Sequence, residues 1–127
     1  MEKIKLKVSF SDERGDIIDL VENESINAVS VITFKKGAVR ANHYHKHTYQ
    51  WNYVLSGRIR LVSQMPGQGP VETILEKGGF AVTQPDERHA LAGMEDSELL
   101  VLTKGPRGGE KYESDTFRLE EPLIAVR

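Results

Sequence analysis

Two histidines separated by one residue, His43 and His45, are the feature of this sequence best suited to chemistry. On a β-strand, residues i and i+2 face the same side, with Cα atoms about 6.6 Å apart. Two imidazoles at that spacing can converge on one metal ion at about 2.0–2.1 Å. Gln50 follows on the next strand-like run, and His89 lies on a distant one. A His-x-His pair also occurs by chance on surface strands, so its context has to decide.

The context is a series of short strand-like runs separated by turns. Val, Ile, Thr, Tyr and Phe are concentrated in these runs, and Gly, Asn or Asp interrupts them about every ten residues. This pattern predicts a sandwich or a barrel rather than alternating helices and strands. The predicted strands are residues 4–10, 16–21, 28–34, 39–44, 49–55, 58–62, 71–75, 80–83, 89–92 and 99–103.

The length of 127 residues predicts one domain, with a core over about residues 28–103 and a tail over 104–127. Ser56-Gly57 predicts a tight hairpin in which glycine supplies a positive φ. After Thr103 the composition becomes that of a loop. Residues 115–119 could form one helical turn or lie across the barrel.

Composition and charge exclude several classes of function. Seventeen Lys and Arg against 19 Asp and Glu leave a net charge of −2, without long blocks of one sign, so we expect no nucleic-acid partner. No apolar run approaches the ~20 residues of a membrane span, and the first five residues alternate in charge, unlike a signal peptide. The absence of cysteine excludes disulfides, thiolate metal sites and cysteine nucleophiles. We expect a cytoplasmic protein without a membrane partner.

The residues around the histidine pair resemble the first motif of the cupin superfamily. Five residues separate Gly37 from His43, four separate His45 from Gln50, and six separate Gln50 from Gly57, and each spacing fits that motif.

A second cupin motif, which is looser, is matched further along the chain. Five residues separate Gly79 from Pro85, and His89 follows after three more. This stretch has one turn residue fewer than the motif and lacks the glycine that usually follows the proline.

The resemblance implies a double-stranded β-helix, which is a jelly-roll barrel. It also implies one divalent metal ion inside the barrel, bound by His43, His45, Gln50 and His89. Gln50 stands where many cupins have glutamate, so all four ligands would be neutral. Three imidazoles and an oxygen suit Zn, Mn, Fe, Ni or Cu, and the sequence does not choose among them.

Strand alternation suggests which neighbours of Gln50 share its face. Asn52 lies two residues after Gln50 and is a candidate pocket-lining residue. Trp51 and Tyr53 would face outward, against another part of the chain or a partner subunit. His47 continues the alternation of His43 and His45, and is either a proton carrier or an exposed residue at a loop edge.

Several arginines could bind a carboxylate or phosphate of a substrate, although most arginines are simply solvated. Arg40, which precedes the histidine pair, and Arg60, on the strand after the hairpin, are the preferred candidates. The other candidates are Arg58, Arg88 and Arg107.

Three functions follow from such a site, because the cupin fold alone does not specify an activity. The first is an enzyme that isomerises, epimerises or ring-opens a sugar-like or other oxygen-rich small molecule, with the catalytic candidates Asn52, Arg40, Arg60 and His47. The second is a dioxygenase containing iron, nickel or copper. The third is a non-catalytic cupin that binds a small ligand, or in which the metal only stabilises the barrel.

The first motif, with Gln50 and His47, is similar to that of small cupins that linearise unsaturated uronates. Those proteins carry an aspartate on the last core strand, a few residues before an arginine. The corresponding stretch here, residues 100–107, contains no acidic residue, which counts against the same activity. We also expect a homodimer that exchanges residues 4–10 or the tail after Lys104, because open sheet edges need covering.

Overall fold

The computed structural model describes residues 1–126, which form twelve strands and one short helix. The strands are β1 (Glu2–Ile4), β2 (Phe10–Asp12), β3 (Gly15–Ile17), β4 (Ala28–Phe34), β5 (Val39–Tyr44), β6 (Tyr49–Ser56), β7 (Arg58–Gln64), β8 (Val71–Glu76), β9 (Phe80–Thr83), β10 (Arg88–Gly93), β11 (Ser97–Lys104) and β12 (Phe117–Arg118), and the helix is α1 (Glu110–Ser114). Within residues 1–126, no helix is long and apolar enough to span a bilayer.

Two five-stranded antiparallel sheets face each other. The first sheet has the order β1-β9-β6-β11-β4, and the second has the order β12-β5-β10-β7-β8. Consecutive strands repeatedly cross from one sheet to the other, as in a jelly-roll barrel, so the predicted fold class is confirmed. The strands β2 and β3 form a separate exposed hairpin.

The predicted strands from residue 28 onward lie within two residues of the observed ones. The predictions nearer the N-terminus were wrong in their extent. The predicted strand 4–10 is divided, because β1 ends at Ile4 and β2 begins at Phe10. β1 pairs with β9 only from Glu2 opposite Val82 to Ile4 opposite Phe80, and before Phe80 the chain turns away at Gly79. Residues 5–8 therefore have no strand beside them, and Ser9 is bonded to Ile17 of β3. The predicted strand 16–21 likewise ends at Ile17.

The inner faces of the two sheets supply the apolar core. Alternation on β6 turns Gln50, Asn52 and Val54 inward, as predicted, and Val54 is fully buried in the core. Trp51 lies on the outer face, where it stacks on Tyr49 and is nevertheless only 9% exposed. The buried core residues are Phe34, Val54, Ile59, Leu61, Leu75, Ala81, Leu91, Leu99 and Val101.

The tail folds back onto the barrel. α1 begins earlier than the helical turn suggested for residues 115–119, and β12 pairs with β5 through Phe117 opposite Tyr44. The Asn42 side chain holds the end of the tail, accepting hydrogen bonds from the Leu123 and Ile124 N–H groups. Both elements proposed for exchange between subunits thus pack on their own chain, and a homodimer stays a prediction.

Replacing Gly57 by alanine is expected to destabilise the barrel by several kcal/mol. Gly57 joins β6 to β7 with φ of 85°, and an added Cβ would lie 2.2 Å from Ser97 Oγ and 2.5 Å from the Asp96 carbonyl oxygen. Forced contacts of this kind cost roughly 1–3 kcal/mol beyond the roughly 1–2 kcal/mol of the left-handed backbone. Gly67 is a matched control, with φ of 77° and open space at its Cβ. Urea denaturation should therefore separate Gly57→Ala from Gly67→Ala, and equal losses would contradict the steric explanation.

A histidine cluster at one end of the barrel

Strand register places six polar residues in one layer across the interior of the barrel. In the second sheet His43 pairs with His89, which in turn pairs with Ser63. In the first sheet Gln50 pairs with Thr103 on one side and Thr83 on the other. All six are buried, which is unusual for polar side chains unless they are hydrogen-bonded or bind a ligand. The members of this layer are His43, His89, Ser63, Gln50, Thr103 and Thr83.

His45 joins His43 and His89 in a compact cluster. The ring centroids are 4.6 Å apart for His43 and His45, 4.8 Å for His43 and His89, and 5.6 Å for His45 and His89. One nitrogen from each ring lies within 4.8 Å of the others. Tetrahedral ligands at about 2.0–2.1 Å from an ion stand roughly 3.4 Å apart, so a small inward movement of the rings suffices.

Backbone carbonyl groups set the orientation of two of these rings. His45 Nδ1 lies 2.8 Å from the Asp115 carbonyl oxygen, and His89 Nδ1 lies 3.0 Å from that of Glu87. Because a carbonyl only accepts, each Nδ1 carries the proton and each Nε2 keeps its lone pair. His45 Nε2 is buried without a hydrogen-bond partner. Ligating histidines commonly donate their other N–H in this way, so the arrangement fits a metal ion.

The three rings are neutral near pH 7. Burial, with His89 and His45 adding to its effect, lowers the pKa of His43 to about 2. Burial and the neighbouring His45 lower the pKa of His89 to about 3. Burial also lowers the pKa of His45, although the hydrogen bond to Asp115 opposes it. Neutral imidazole is the form that binds a metal ion.

Two carboxamides complete this end of the barrel. Gln50 is 8% exposed. Its side-chain amide lies close to His45 and acts against the lowering of the His45 pKa by burial. The amide nitrogen of Asn52 donates to the carbonyl oxygens of Gln50 and Ala81, at 3.2 and 3.1 Å. These two acceptors fix the orientation of the Asn52 amide, and its oxygen is the atom left for a ligand.

A β-bulge puts Arg40 on the same face of β5 as His43, although its side chain stays exposed. Arg40 is opposite Leu91 and His43 is opposite His89, so two residues of β5 occupy the space of one on β10. Those two residues, Ala41 and Asn42, have φ of 70° and 57°. Cross-strand partners share a face, and Leu91 belongs to the core, so Arg40 shares the inner face with His43. Its guanidinium group lies over the Phe34 ring, 5.4 Å from the centroid.

The structure does not bring the other two catalytic candidates to the cavity. Arg60 lies on the outer face of β7 between the inward-facing Ile59 and Leu61, and it forms a 3.2 Å ion pair with Glu72. His47 lies exposed in the connection between β5 and β6, which matches the second of the two alternatives, an exposed residue at a loop edge.

Two residues of the histidine cluster, His43 and His89, line a cavity of about 460 Å³. Its mouth lies between the edge strand β4, Arg40 and a tail segment that we call the C-terminal strap, residues 105–119. Among residues 1–126, no Asp or Glu lines this cavity. The lining residues are Val31, Ile32, Thr33, Phe34, Arg40, Ala41, His43, Gln50, Asn52, His89, Leu91, Leu99, Val101, Arg107 and Tyr112.

The strap contributes Tyr112, which the sequence did not single out, and Arg107, which was not among the preferred candidates. Tyr112 lines the cavity with its ring centroid 5.3 Å from that of His45. Arg107, one of the less favoured arginine candidates, lies 4.5 Å above the Tyr112 ring and donates to Ser30 Oγ at 3.2 Å. Only the glycines around Arg107 indicated a chain that could bend back over the barrel.

The sequence profile of the cupin domain matches residues 30–103, more than half of the chain. The chain belongs to the cupin family. The matched range contains both histidine motifs and begins and ends close to β4 and β11. A comparison with curated protein sequences gives no significant match.

Solved structures that resemble this cupin include enzymes acting on nucleotide-linked sugars. A 3,4-ketoisomerase from Thermoanaerobacterium thermosaccharolyticum, a double mutant in complex with TDP, is 25% identical, with 93% of this chain and 86% of that one covered and a TM-score of 0.73. A TDP-quinovose 3,4-ketoisomerase from Campylobacter jejuni is 20% identical, with 93% and 92% covered and a TM-score of 0.76. The dTDP-4-dehydrorhamnose 3,5-epimerase from Sulfolobus tokodaii is 21% identical, with 84% and 70% covered and a TM-score of 0.67.

Two departures from cupin patterns have a structural counterpart. Asp86, which replaces the usual glycine after Pro85, has φ of 68°, a conformation that glycine adopts freely and Asp tolerates. On β11 the inward positions are Leu99, Val101 and Thr103, so the aspartate of the uronate-linearising cupins has no equivalent there.

Proposed function

We propose that this cupin is a metal-dependent enzyme that isomerises, epimerises or ring-opens an anionic, sugar-like small molecule. The observation that carries the proposal is the cluster of three buried, neutral histidines, two of which, His43 and His89, line a cavity that contains arginine but no carboxylate. His43, His45 and His89 would hold the ion, with Gln50 as an oxygen ligand. A divalent ion in such a site polarises a carbonyl or hydroxyl oxygen of the substrate.

The charge of the cavity supports an anionic substrate. Arg107 is attached to Ser30 and Arg40 to the Thr33 carbonyl oxygen, and these anchors lie three residues apart on β4, roughly 10 Å along the strand. Two guanidinium groups without an acidic partner in the cavity leave their positive charge for a carboxylate or phosphate on the ligand. Leu91, Leu99 and Val101 would pack against its apolar face.

Tyr112 is our candidate for moving a proton. Two lining residues of the described chain, Thr33 and Tyr112, carry an O–H that can both donate and accept, and of these Tyr112 is the one beside the histidine cluster. Its ring lies beside His45, so a substrate held near the histidines would also be close to the strap. The Asn52 amide oxygen would orient a substrate hydroxyl by accepting its hydrogen bond.

The similar solved structures support this class of reaction without establishing it. Two are ketoisomerases and one is an epimerase, and each of these reactions relocates a proton next to a sugar carbonyl. One of them was solved with TDP, which is an anionic ligand. The shared fold alone does not transfer an activity, so the cavity residues of this chain carry the argument.

Metal-loaded protein in D₂O should incorporate deuterium into, or convert, at least one member of a panel of uronates and nucleotide-linked 4-keto sugars. ¹H NMR would follow the loss of the C–H signal. Tyr112→Phe should lower the rate about 10²–10⁴-fold, as expected for a proton-transfer residue, while keeping the metal. Arg60→Ala is a control, since Arg60 lies outside the cavity.

Binding of panel members without exchange or conversion of any of them would contradict the enzymatic proposal and favour the non-catalytic cupin. Oxygen consumption with the iron-loaded protein would instead favour the dioxygenase. A cytoplasmic location and a homodimer stay predictions, to be checked by fractionation and light scattering.

A further inference from the structure

Asp115 is the only fully buried residue of the C-terminal strap. Its carboxylate accepts three hydrogen bonds from the connection between β5 and β6: from the Lys46 N–H at 3.0 Å, the His47 N–H at 3.2 Å and the Thr48 hydroxyl at 2.7 Å. Although burial raises the pKa of Asp115, these hydrogen bonds lower it overall, so the carboxylate is charged near pH 7. Hydrogen bonds to a charged acceptor are among the stronger ones in proteins.

The backbone of the same residue holds a ring of the histidine cluster. The Asp115 carbonyl accepts the His45 Nδ1–H at 2.8 Å, which leaves His45 Nε2 directed at the cluster. Asp115 is thus attached through its side chain to the connection that follows His45, and through its carbonyl to the His45 ring. We therefore expect the Asp115 carbonyl to shift away from the His45 ring when the side-chain hydrogen bonds are lost.

The helix α1, in the middle of the strap, is weakly held. α1 has five residues, no side-chain cap and no buried residue, so its own stability is small. Gly105, Gly108 and Gly109, in the connection to β11, all have positive φ. The other attachments lie mainly toward the ends of the strap: two hydrogen bonds between Gly105 and Asn27, the Arg107–Ser30 hydrogen bond, the two-residue strand β12 and the Leu119 N–H that donates to the Asn42 carbonyl.

We propose that Asp115 is a positioning residue that fixes the tautomer and orientation of His45 by fastening the strap to the connection between β5 and β6. This inference rests on the metal site of the proposed function. A ring held with Nε2 free binds a metal ion without first rotating or exchanging its proton. Because coupling free energies are reciprocal, metal binding in turn stabilises the docked strap, which covers the cavity with Arg107 and Tyr112.

Asp115→Ala is expected to weaken Zn²⁺ binding about 10–100-fold, the effect usually seen when a group that orients a metal ligand is removed. Zn²⁺ affinity would be measured against a competing chelator. Thr48→Val removes one partner of the same carboxylate from the other side and should weaken binding in the same direction. The loss in the double variant should be smaller than the sum of the two single losses, because the Thr48–Asp115 hydrogen bond is removed by both changes. Glu110→Ala, an exposed change on α1, is the matched control.

Two further measurements separate positioning from a general loss of stability. In ¹⁵N NMR of the metal-free protein, His45 should show the Nδ1-protonated tautomer, and a tautomer mixture in Asp115→Ala. Trypsin should cleave the strap after Arg107 and Lys111 faster in Asp115→Ala, and Zn²⁺ should protect these sites in the parent protein. Asp115→Asn, which keeps one acceptor oxygen, should restore part of the affinity.

Unchanged Zn²⁺ affinity and an unchanged His45 tautomer in folded Asp115→Ala would overturn the inference, and so would an equal effect of Glu110→Ala. If Asp115→Ala does not fold, Thr48→Val decides by the same criteria. Failure of the parent protein to bind any divalent metal would sink the proposed function instead. The tautomer and the cleavage rates would still test whether Asp115 positions His45.

Discussion

Replacing His89 by alanine should abolish metal retention, lowering the affinity for a divalent ion by more than about 100-fold. His89 is 3% exposed and belongs to the cluster whose nitrogens lie within 4.8 Å of one another. The His89 Nδ1–H donates to the Glu87 carbonyl, so Nε2 is the nitrogen that would bind the ion, and alanine would remove it without a replacement. Elemental analysis of protein purified without chelator, compared with the parent, would measure the loss.

His47→Ala is the matched control for this experiment. His47 belongs to the same run of alternating histidines, yet it is exposed in the connection after β5. It should keep a full complement of metal. His43→Ala should behave as His89→Ala does, because the two are direct cross-strand partners. Stoichiometric metal in either variant, or loss of metal in His47→Ala, would contradict the proposed ligand set.

The sequence allowed the strands and the facing of their side chains to be predicted because both depend on local periodicity. The alternation of β6 alone places Gln50 and Asn52 inside and Trp51 outside, and the structure agrees. The meeting of His43 with His89 depends instead on a register between strands distant in the sequence. Only the resemblance to the cupin motifs predicted that contact, since no spacing within one strand encodes it.

Arg40 lies on the face opposite to the one that strict alternation predicts, whereas Arg60 lies on the face that alternation does predict. Strict alternation from His43 would turn Arg40 outward, and the bulge at Ala41 and Asn42 reverses this. The residue types of Ala41 and Asn42 do not by themselves predict a bulge. For Arg60, however, the flanking apolar Ile59 and Leu61 already indicated an outward side chain, because both belong to the core.

The strap could not be placed from the sequence for a thermodynamic reason. A five-residue helix has too few turns to show an apolar period and too little stability to form alone. The position of Tyr112 depends on the tertiary contacts of Asp115 and Arg107 with segments far away in the sequence. Long-range contacts of this kind leave no pattern in the local sequence of the strap.

Acid should unfold the metal-free protein well above the pH at which its carboxylates are protonated. In the unfolded chain a histidine has a pKa of about 6.5, whereas the folded chain lowers the pKa of His43 to about 2 and that of His89 to about 3. Below pH 6.5 the unfolded state therefore binds protons that the folded state does not. The stability contributed by these neutral rings is complete above that pH and is lost as the pH falls toward the folded pKa values.

The expected loss is about 1.4 kcal/mol per pH unit for each of the two histidines, or about 5 kcal/mol between pH 6.5 and 4.5. Asp115, whose pKa is lowered, loses its contribution only below about pH 3.8, outside this window. Guanidinium denaturation of chelator-treated protein at pH 6.5, 5.5 and 4.5 would measure the slope. A double variant, His43→Gln with His89→Gln, should flatten it, while His47→Gln should not. Equal stability of the parent protein at all three pH values would show that the histidines are not buried in the neutral form. The argument that neutral imidazoles are ready to bind a metal ion would then fail.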